Sequence, residues 1–247
     1  MLGLPDGIRG CLFDLDGVLT KTATVHAAAW TEMFNEFLRK RAMQTGEPFV
    51  PFDSVKDYEQ YVDGKPRIDG TRSFLASRGI DLPDGREDDP PDAQTSHGLG
   101  NRKNEILLHM LATKGVDVYE GSVQYVRAVR DHGLRRAVVS SSENCREVLE
   151  AARIEDLFEV RIDGIVAKRD HLRGKPAPDT YLAAARALGL EPAAAAVFED
   201  ALAGVESGRA GGFGYVIGVD RLGQAGALHE HGADVVVTDL AKMLSQR

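Results

Sequence analysis

An α/β protein with a mostly parallel sheet is predicted by two observations. After Val118 the sequence alternates helix-like segments with short β-rich runs at Arg136–Val139, Ala195–Phe198, Tyr215–Val219 and Asp234–Val237, the rhythm of parallel strands joined by crossover helices. A further apolar run, Ile8–Phe13, stands far ahead of that series, separated from it by about 80 residues of helical character. A strand cut off from its sheet by helices implies an insertion. The expected architecture is therefore a Rossmann-like parallel sheet core with an inserted helical cap domain, divided as 1–23 plus 105–247 for the core and 24–104 for the cap.

Taken in order, Ile8–Phe13 reads as a buried strand that ends in Asp-Leu-Asp-Gly, which places two carboxylates at its C-terminal end. From Thr24 to about Lys40 the pattern turns helical, with Val25, Ala28, Ala29, Phe34 and Phe37 at helix-compatible spacings. Further helices are expected near 54–62, 70–78 and 101–113. The stretch Leu82–Gly100 is rich in Pro, Gly and Asp without apolar periodicity and reads as a long loop. The alanine-rich Ala183–Ala196 has ordinary helix composition. No internal repeat is visible.

Composition narrows the function. The 247 residues, 43% hydrophobic, suffice for one large core and a smaller one. Thirty Lys and Arg against 38 Asp and Glu give a net charge of −8, which argues against a nucleic-acid partner. An acidic protein that handles a phosphate ester must supply cations locally, from a metal and a few placed Lys or Arg. No targeting segment is apparent and no run approaches the roughly 18 apolar residues of a membrane span. Cys11 and Cys145 are too few for a disulfide framework, so the expectation is a cytoplasmic, monomeric enzyme acting on a small molecule, with no membrane partner. Cys11 reads as a small buried hydrophobe.

In open α/β sheets ligands gather at the C-terminal ends of the strands, so the polar residues that follow each apolar run matter most. These are Asp14 and Asp16, then Ser140, Ser141 and Ser142, then Lys175 in Arg-Gly-Lys-Pro-Ala-Pro-Asp, then Glu199 and Asp200. Each alone is weak, since serines cap helices and Asp-Gly starts loops. In this order along the whole chain they resemble the four motifs of the haloacid dehalogenase superfamily.

That resemblance implies phosphoryl transfer. A carboxylate attacking a phosphate dianion meets repulsion, which a divalent cation and a lysine must neutralise. By the resemblance Asp14 is the nucleophile that becomes an aspartyl phosphate, and Asp16 the acid that protonates the leaving oxygen and then the base that activates the acceptor. Mg2+ would be held by Asp14, Asp200 and the backbone carbonyl of Asp16, with Glu199 behind it or as an added ligand. Ser140, Lys175 and the Ser141 amide would grip the phosphoryl oxygens, and Thr20 would support the turn.

The segment between Ser140 and Lys175 is too short for a second insertion, so the helical stretch is the only cap expected. This placement resembles the β-phosphoglucomutase-like branch. Thr22-Ala-Thr-Val-His26-Ala-Ala-Ala-Trp30 resembles its early cap segment, in which a His lies near the general acid and a Trp near the substrate; a core position is the alternative for Trp30. Val62-Asp-Gly-Lys-Pro-Arg67 resembles its substrate loop, where an Arg binds the phosphate that is not being transferred. Arg102-Lys103-Asn104 resembles a segment in which Lys and Asn meet the sugar phosphate, and Ser142, Glu143 and Asn144 would touch the sugar. Lys21, Pro66 and the long loop near 84–92 depart from the pattern. The resemblance implies an isomerase that interconverts β-glucose 1-phosphate and glucose 6-phosphate through a bisphosphate intermediate, with a magnesium-dependent sugar-phosphate phosphatase on the same scaffold as the alternative.

Overall fold

The computed structural model describes residues 1–244. The chain divides into two compact units, a sheet unit (Met1–Lys21, Gly64–Pro66 and Val116–Arg247) and a helical unit (Thr22–Asp63 and Arg67–Gly115). Strands β1 (Gly10–Phe13), β2 (Arg135–Val139), β3 (Val160–Ile162), β4 (Ala195–Glu199), β5 (Tyr215–Val219) and β6 (Val235–Val237) form one sheet in the order β3-β2-β1-β4-β5-β6, each neighbouring pair parallel. Helices α1 (Thr22–Thr45), α2 (Arg67–Ser77) and α3 (Ser96–Lys114) build the helical unit. Helices α4 (Glu120–Asp131), α5 (Cys145–Ala151), α6 (Gly164–Arg169), α7 (Asp179–Ala187), α8 (Leu202–Ala210), α9 (Ala225–Glu230) and α10 (Ala241–Leu244) belong to the sheet unit.

Parallel strands need crossovers, and each supplies a helix that covers a sheet face, which is why the central strands read as unbroken apolar runs. All four residues of β1 are buried. Phe13 stacks on Phe198 at 4.4 Å and meets Tyr125 of α4 edge-on at 6.3 Å. Its neighbour Leu12, on the opposite face, packs with Val139, Val197 and with Tyr181 and Ala184 of α7. The strand order reverses at β1, which lies between β2 and β4, and Phe13 is level with Val138 and Phe198. Asp14 therefore emerges level with the last residues of both neighbours, at the crevice such sheets use for ligands.

In the helical unit, Trp30, Met33, Phe34, Phe37 and Leu38 recur at spacings of three and four along α1 and form its buried face. Phe34 is the hub: its ring lies 5.2 Å from Trp30, 5.2 Å from Phe52 and 4.2 Å from Phe74.

Several expectations need correction. Strand β3 was not anticipated, because it is a three-residue edge strand with a charged centre, Arg161 bonding Asp163 at 2.8 Å. The expected loop over 82–100 ends at Thr95. Its side chain accepts a bond from the Gly98 amide at 3.0 Å and starts α3, whose first turns hold Gly98 and Gly100 and so hide the periodicity. A Cβ on Gly98 would come within 2.4 Å of the Ala93 carbonyl, so the bare residue is required there. The boundary expected between 104 and 105 falls inside α3, a continuous helix that packs throughout with the helical unit. The alanine-rich stretch is not one helix: α7 stops at Ala187, and Ala195 and Ala196 open β4.

Candidate active site

The turn after β1 is set by its own sequence. The Gly17 amide donates to the Thr20 carbonyl at 2.8 Å, the Thr20 amide to the Leu15 carbonyl at 3.0 Å, and the buried Thr20 hydroxyl to the same carbonyl at 3.2 Å. Gly17 has φ +92°, and a Cβ there would fall 1.7 Å from Asp200 Oδ2, so only glycine lets this turn close upon that carboxylate.

Asp14, Lys175, Glu199 and Asp200 are all buried. Lys175 Nζ donates to Asp14 Oδ1, pairs with Glu199 Oε1 at 2.5 Å, and reaches the Val139 carbonyl at 3.3 Å. Tyr181 Oη donates to Glu199 Oε1 at 2.7 Å, and Lys175 Nζ lies 5.1 Å from the Tyr181 ring centre. Gly204 makes room for this carboxylate, since a Cβ there would lie 1.9 Å from Glu199 Cδ. Burial pushes the Asp14 carboxyl well above its ordinary range; Lys175 opposes that, while Glu199 and Asp16 add to it. Burial lowers the pKa of the Lys175 ammonium, but Asp14 and Glu199 together outweigh it and hold it above the usual value. Lys175 is thus a fixed positive charge between two carboxylates.

Carboxylate oxygens of Asp14, Glu199 and Asp200 lie within 4.8 Å of one another. A buried set of three acidic groups has only one ammonium among them, the crowding that also raises Asp14, and its donors are all hard oxygens. That chemistry fits a divalent cation such as Mg2+. Asp16 is outside this side-chain trio; its Oδ2 accepts from Ser140 Oγ at 3.4 Å.

Of the serines after β2, Ser140 is buried and its Oγ also accepts the Ser142 amide at 3.1 Å. Ser142 Oγ accepts the Asn144 amide at 3.1 Å, which ties the four residues 141–144 into a compact loop. Ser141 Oγ donates to the Gly64 carbonyl at 2.8 Å, within the sheet unit. The loop thus sits beside Asp16, as its position after β2 demands.

In the helical unit, Lys103 Nζ lies 3.2 Å from His26 Nδ1 and 5.0 Å from the Trp30 ring centre, so three of the five expected cap residues converge. Trp30 is itself buried in the aromatic core, its ring stacked on Phe34. Arg67 opens α2 and packs beside Gly100 of α3, its Cγ 3.4 Å from where a Cβ on that glycine would stand. Asn104 is half-buried on α3 beside Lys103.

Comparison with known proteins agrees with this geometry. The profile of the haloacid dehalogenase-like hydrolases matches residues 8–212. The chain belongs to the haloacid dehalogenase-like hydrolase family. It is 56% identical to a protein named β-phosphoglucomutase from Mycobacterium bovis, over 99% of this chain and 94% of that one, and 28% identical to a Bacillus subtilis protein of the same name, over 93% and 89%. A crystal structure of β-phosphoglucomutase from Clostridium difficile, 24% identical, superposes with a TM-score of 0.75 over 95% of this chain and 92% of that one. A haloacid dehalogenase family hydrolase from Deinococcus radiodurans with bound phosphate and sodium, 28% identical, gives 0.66 over 97% and 94%.

Two features of this haloacid dehalogenase site were missed in the sequence. Tyr181, which bonds Glu199, reads as an ordinary core aromatic on α7, and nothing in the sequence alone singles it out. The loop after β5 also reaches the site: Gln224 Nε2 donates to the Asp200 carbonyl at 3.3 Å, and Arg221 Nε to the Gly17 carbonyl at 2.8 Å. Inspecting the strand end after Val219 as closely as the others would have found it. Among the described residues, no helix is long and apolar enough to cross a membrane.

Proposed function

We propose that this chain is a β-phosphoglucomutase, an isomerase that interconverts β-glucose 1-phosphate and glucose 6-phosphate. The observation that carries the reading is 56% identity over 99% of the chain to mycobacterial proteins of that name. The buried Asp14, Lys175, Glu199 and Asp200 supply the chemistry it needs.

In this reading an Asp14 carboxylate oxygen attacks the phosphorus of a sugar phosphate, and the bond from phosphorus to the sugar oxygen breaks. Asp16 gives its proton to that oxygen as it leaves, then takes a proton from the hydroxyl that attacks the aspartyl phosphate. With glucose 1,6-bisphosphate as the intermediate, transfer from Asp14 to the 6-hydroxyl of β-glucose 1-phosphate, turnover of the bisphosphate, and return of the 1-phosphate to Asp14 leave glucose 6-phosphate. Ser140, the Ser141 amide and Lys175 hold the transferring phosphoryl oxygens. Mg2+, when held by Asp14, Asp200 and the Asp16 carbonyl with Glu199 in support, supplies positive charge against the phosphoryl group. Arg67 binds the phosphate that is not being transferred, and His26, Trp30, Lys103, Asn104, Ser142 and Asn144 line the sugar phosphate. The buried free cysteines fit a cytoplasmic setting, and no assigned role requires a second chain.

The test incubates purified protein with Mg2+, β-glucose 1-phosphate and a trace of glucose 1,6-bisphosphate, and follows glucose 6-phosphate and free phosphate together. Glucose 6-phosphate without matching phosphate is the expected result. Phosphate release alone would make the protein a phosphatase.

A further inference from the structure

Arg221 stands in the loop after β5, outside the four strand-end motifs, and spends its guanidinium in an unusual way. Nε donates to the Gly17 carbonyl at 2.8 Å, Nη1 to the Thr238 carbonyl at 2.8 Å, and Nη2 to the Val18 carbonyl and the Ser122 hydroxyl, each at 3.3 Å. Its plane covers the Tyr119 ring, with Cζ 3.5 Å from the ring centre. The acceptors named here are backbone carbonyls and a hydroxyl, so in these bonds the planar fork serves as a brace and not as a counter-ion. The carbonyls at Gly17 and Val18 belong to the turn that begins with Asp16 and ends at Thr20. Tyr119 closes the other side, because its amide donates to the Leu19 carbonyl at 2.9 Å.

The loop that carries Arg221 is itself held firmly. Asp220 Oδ1 accepts the amides of Leu222 (3.2 Å), Gly223 (2.7 Å) and Gln224 (2.9 Å), and the Asp220 amide donates to the Val237 carbonyl at 2.8 Å. From this anchored loop, Arg221 reaches the turn after β1 while Gln224 reaches the Asp200 carbonyl at 3.3 Å. One loop thus braces the two strand ends whose carboxylates must keep a fixed separation.

We propose that Arg221 is a positioning residue for phosphoryl transfer: by gripping the Gly17 and Val18 carbonyls it fixes the turn from which Asp16 acts. The inference rests on the assignment of Asp16 as the proton carrier. It has a consequence that depends on the leaving group. General acid–base catalysis contributes about 10²–10⁴-fold where a poor leaving group must be protonated and far less where the leaving anion is already stable. A displacement of about 1 Å in such a group costs up to about 10²-fold. Loosening the turn should therefore harm transfer between sugar oxygens and spare phosphorylation by an aryl phosphate.

The experiment compares the parent with Arg221→Lys, which keeps the charge but loses the fork, and Arg221→Met, which keeps only the stem. Two rates are read at saturating Mg2+: mutase turnover of β-glucose 1-phosphate, and single-turnover release of p-nitrophenolate from p-nitrophenyl phosphate with enzyme in excess. Mutase turnover is expected to fall by about tenfold or more in Arg221→Lys, with KM nearly unchanged and p-nitrophenolate release within about threefold of the parent. Equal losses in both rates, or no loss in either, would overturn the role. If Arg221→Met does not fold, Arg221→Lys alone decides. A parent that releases p-nitrophenolate but forms no glucose 6-phosphate would count against the proposed substrate. The variant is then read on the alkyl phosphate the parent does hydrolyse, with the same two outcomes.

Discussion

The two units bury very different things. Around Phe34 the helical unit packs Trp30, Phe52 and Phe74 ring against ring, and the cost of ordering them is offset by apolar area and aromatic contacts. At the C-terminal ends of β1 and β4 the sheet unit buries Asp14, Lys175, Glu199 and Asp200, groups that are expensive to remove from water and are kept only by pairing with one another. The aromatic core of one unit holds a shape. The charged cluster of the other holds a reaction, with three acidic groups around one ammonium, which leaves work for a cation.

If that contrast is right, substitutions in the two units separate activity from stability. Asp14→Asn should lower mutase turnover by about 10⁴-fold or more while the unfolding midpoint stays near that of the parent, because the amide keeps the shape and removes a crowded charge. Substantial residual turnover would remove Asp14 from the nucleophile's role. Phe34→Ala should do the reverse: about 3–5 kcal/mol lost in urea unfolding, with its clearest mark in that equilibrium. A stability close to the parent's would mean the aromatic hub is not what holds the helical unit.

Smaller effects sharpen the comparison. Mg2+ should raise the thermal midpoint, by the equivalent of about 2.7 kcal/mol at a hundred times its Kd, and Asp200→Asn should blunt that rise. An unchanged midpoint in the parent would show that the acidic trio does not take the ion. Arg67→Ala should remove a charge-assisted contact of roughly 1.5–3 kcal/mol. Mutase turnover should therefore fall by about tenfold or more beyond any loss in hydrolysis of an aryl phosphate, and equal losses would count against a second phosphate site.

How much of this was legible depended on where the signal lay. The strands β1, β2, β4 and β5 were readable because buried parallel strands are short apolar runs, and the residues that follow them stand out by contrast. Strand β3 was invisible because three residues with Arg161 in the middle have no periodicity. The start of α3 was hidden by Gly98 and Gly100, both poor helix formers, of which Gly98 is required by its close approach to the Ala93 carbonyl. At the site, Asp14, Ser140, Glu199 and Asp200 stood out as the polar residues at the ends of β1, β2 and β4, whereas Lys175 lies in the loop between α6 and α7 and was singled out only by the order of the motifs along the chain. Tyr181 and Gly204 act only through Glu199, a relation that exists in three dimensions and leaves no mark in the chain. Arg221 lay within reach of the same strand-end rule, since it follows the last residue of β5 by two positions.

The most direct test of the account is to find the phosphoryl group. Protein incubated with Mg2+ and glucose 1,6-bisphosphate is quenched in acid, digested, and the peptide carrying residues 10–19 examined by mass spectrometry. The account predicts one added phosphoryl group on Asp14 and none in Asp14→Asn. A phosphoryl group on another residue, or an unmodified peptide under conditions in which the protein turns over, would contradict it.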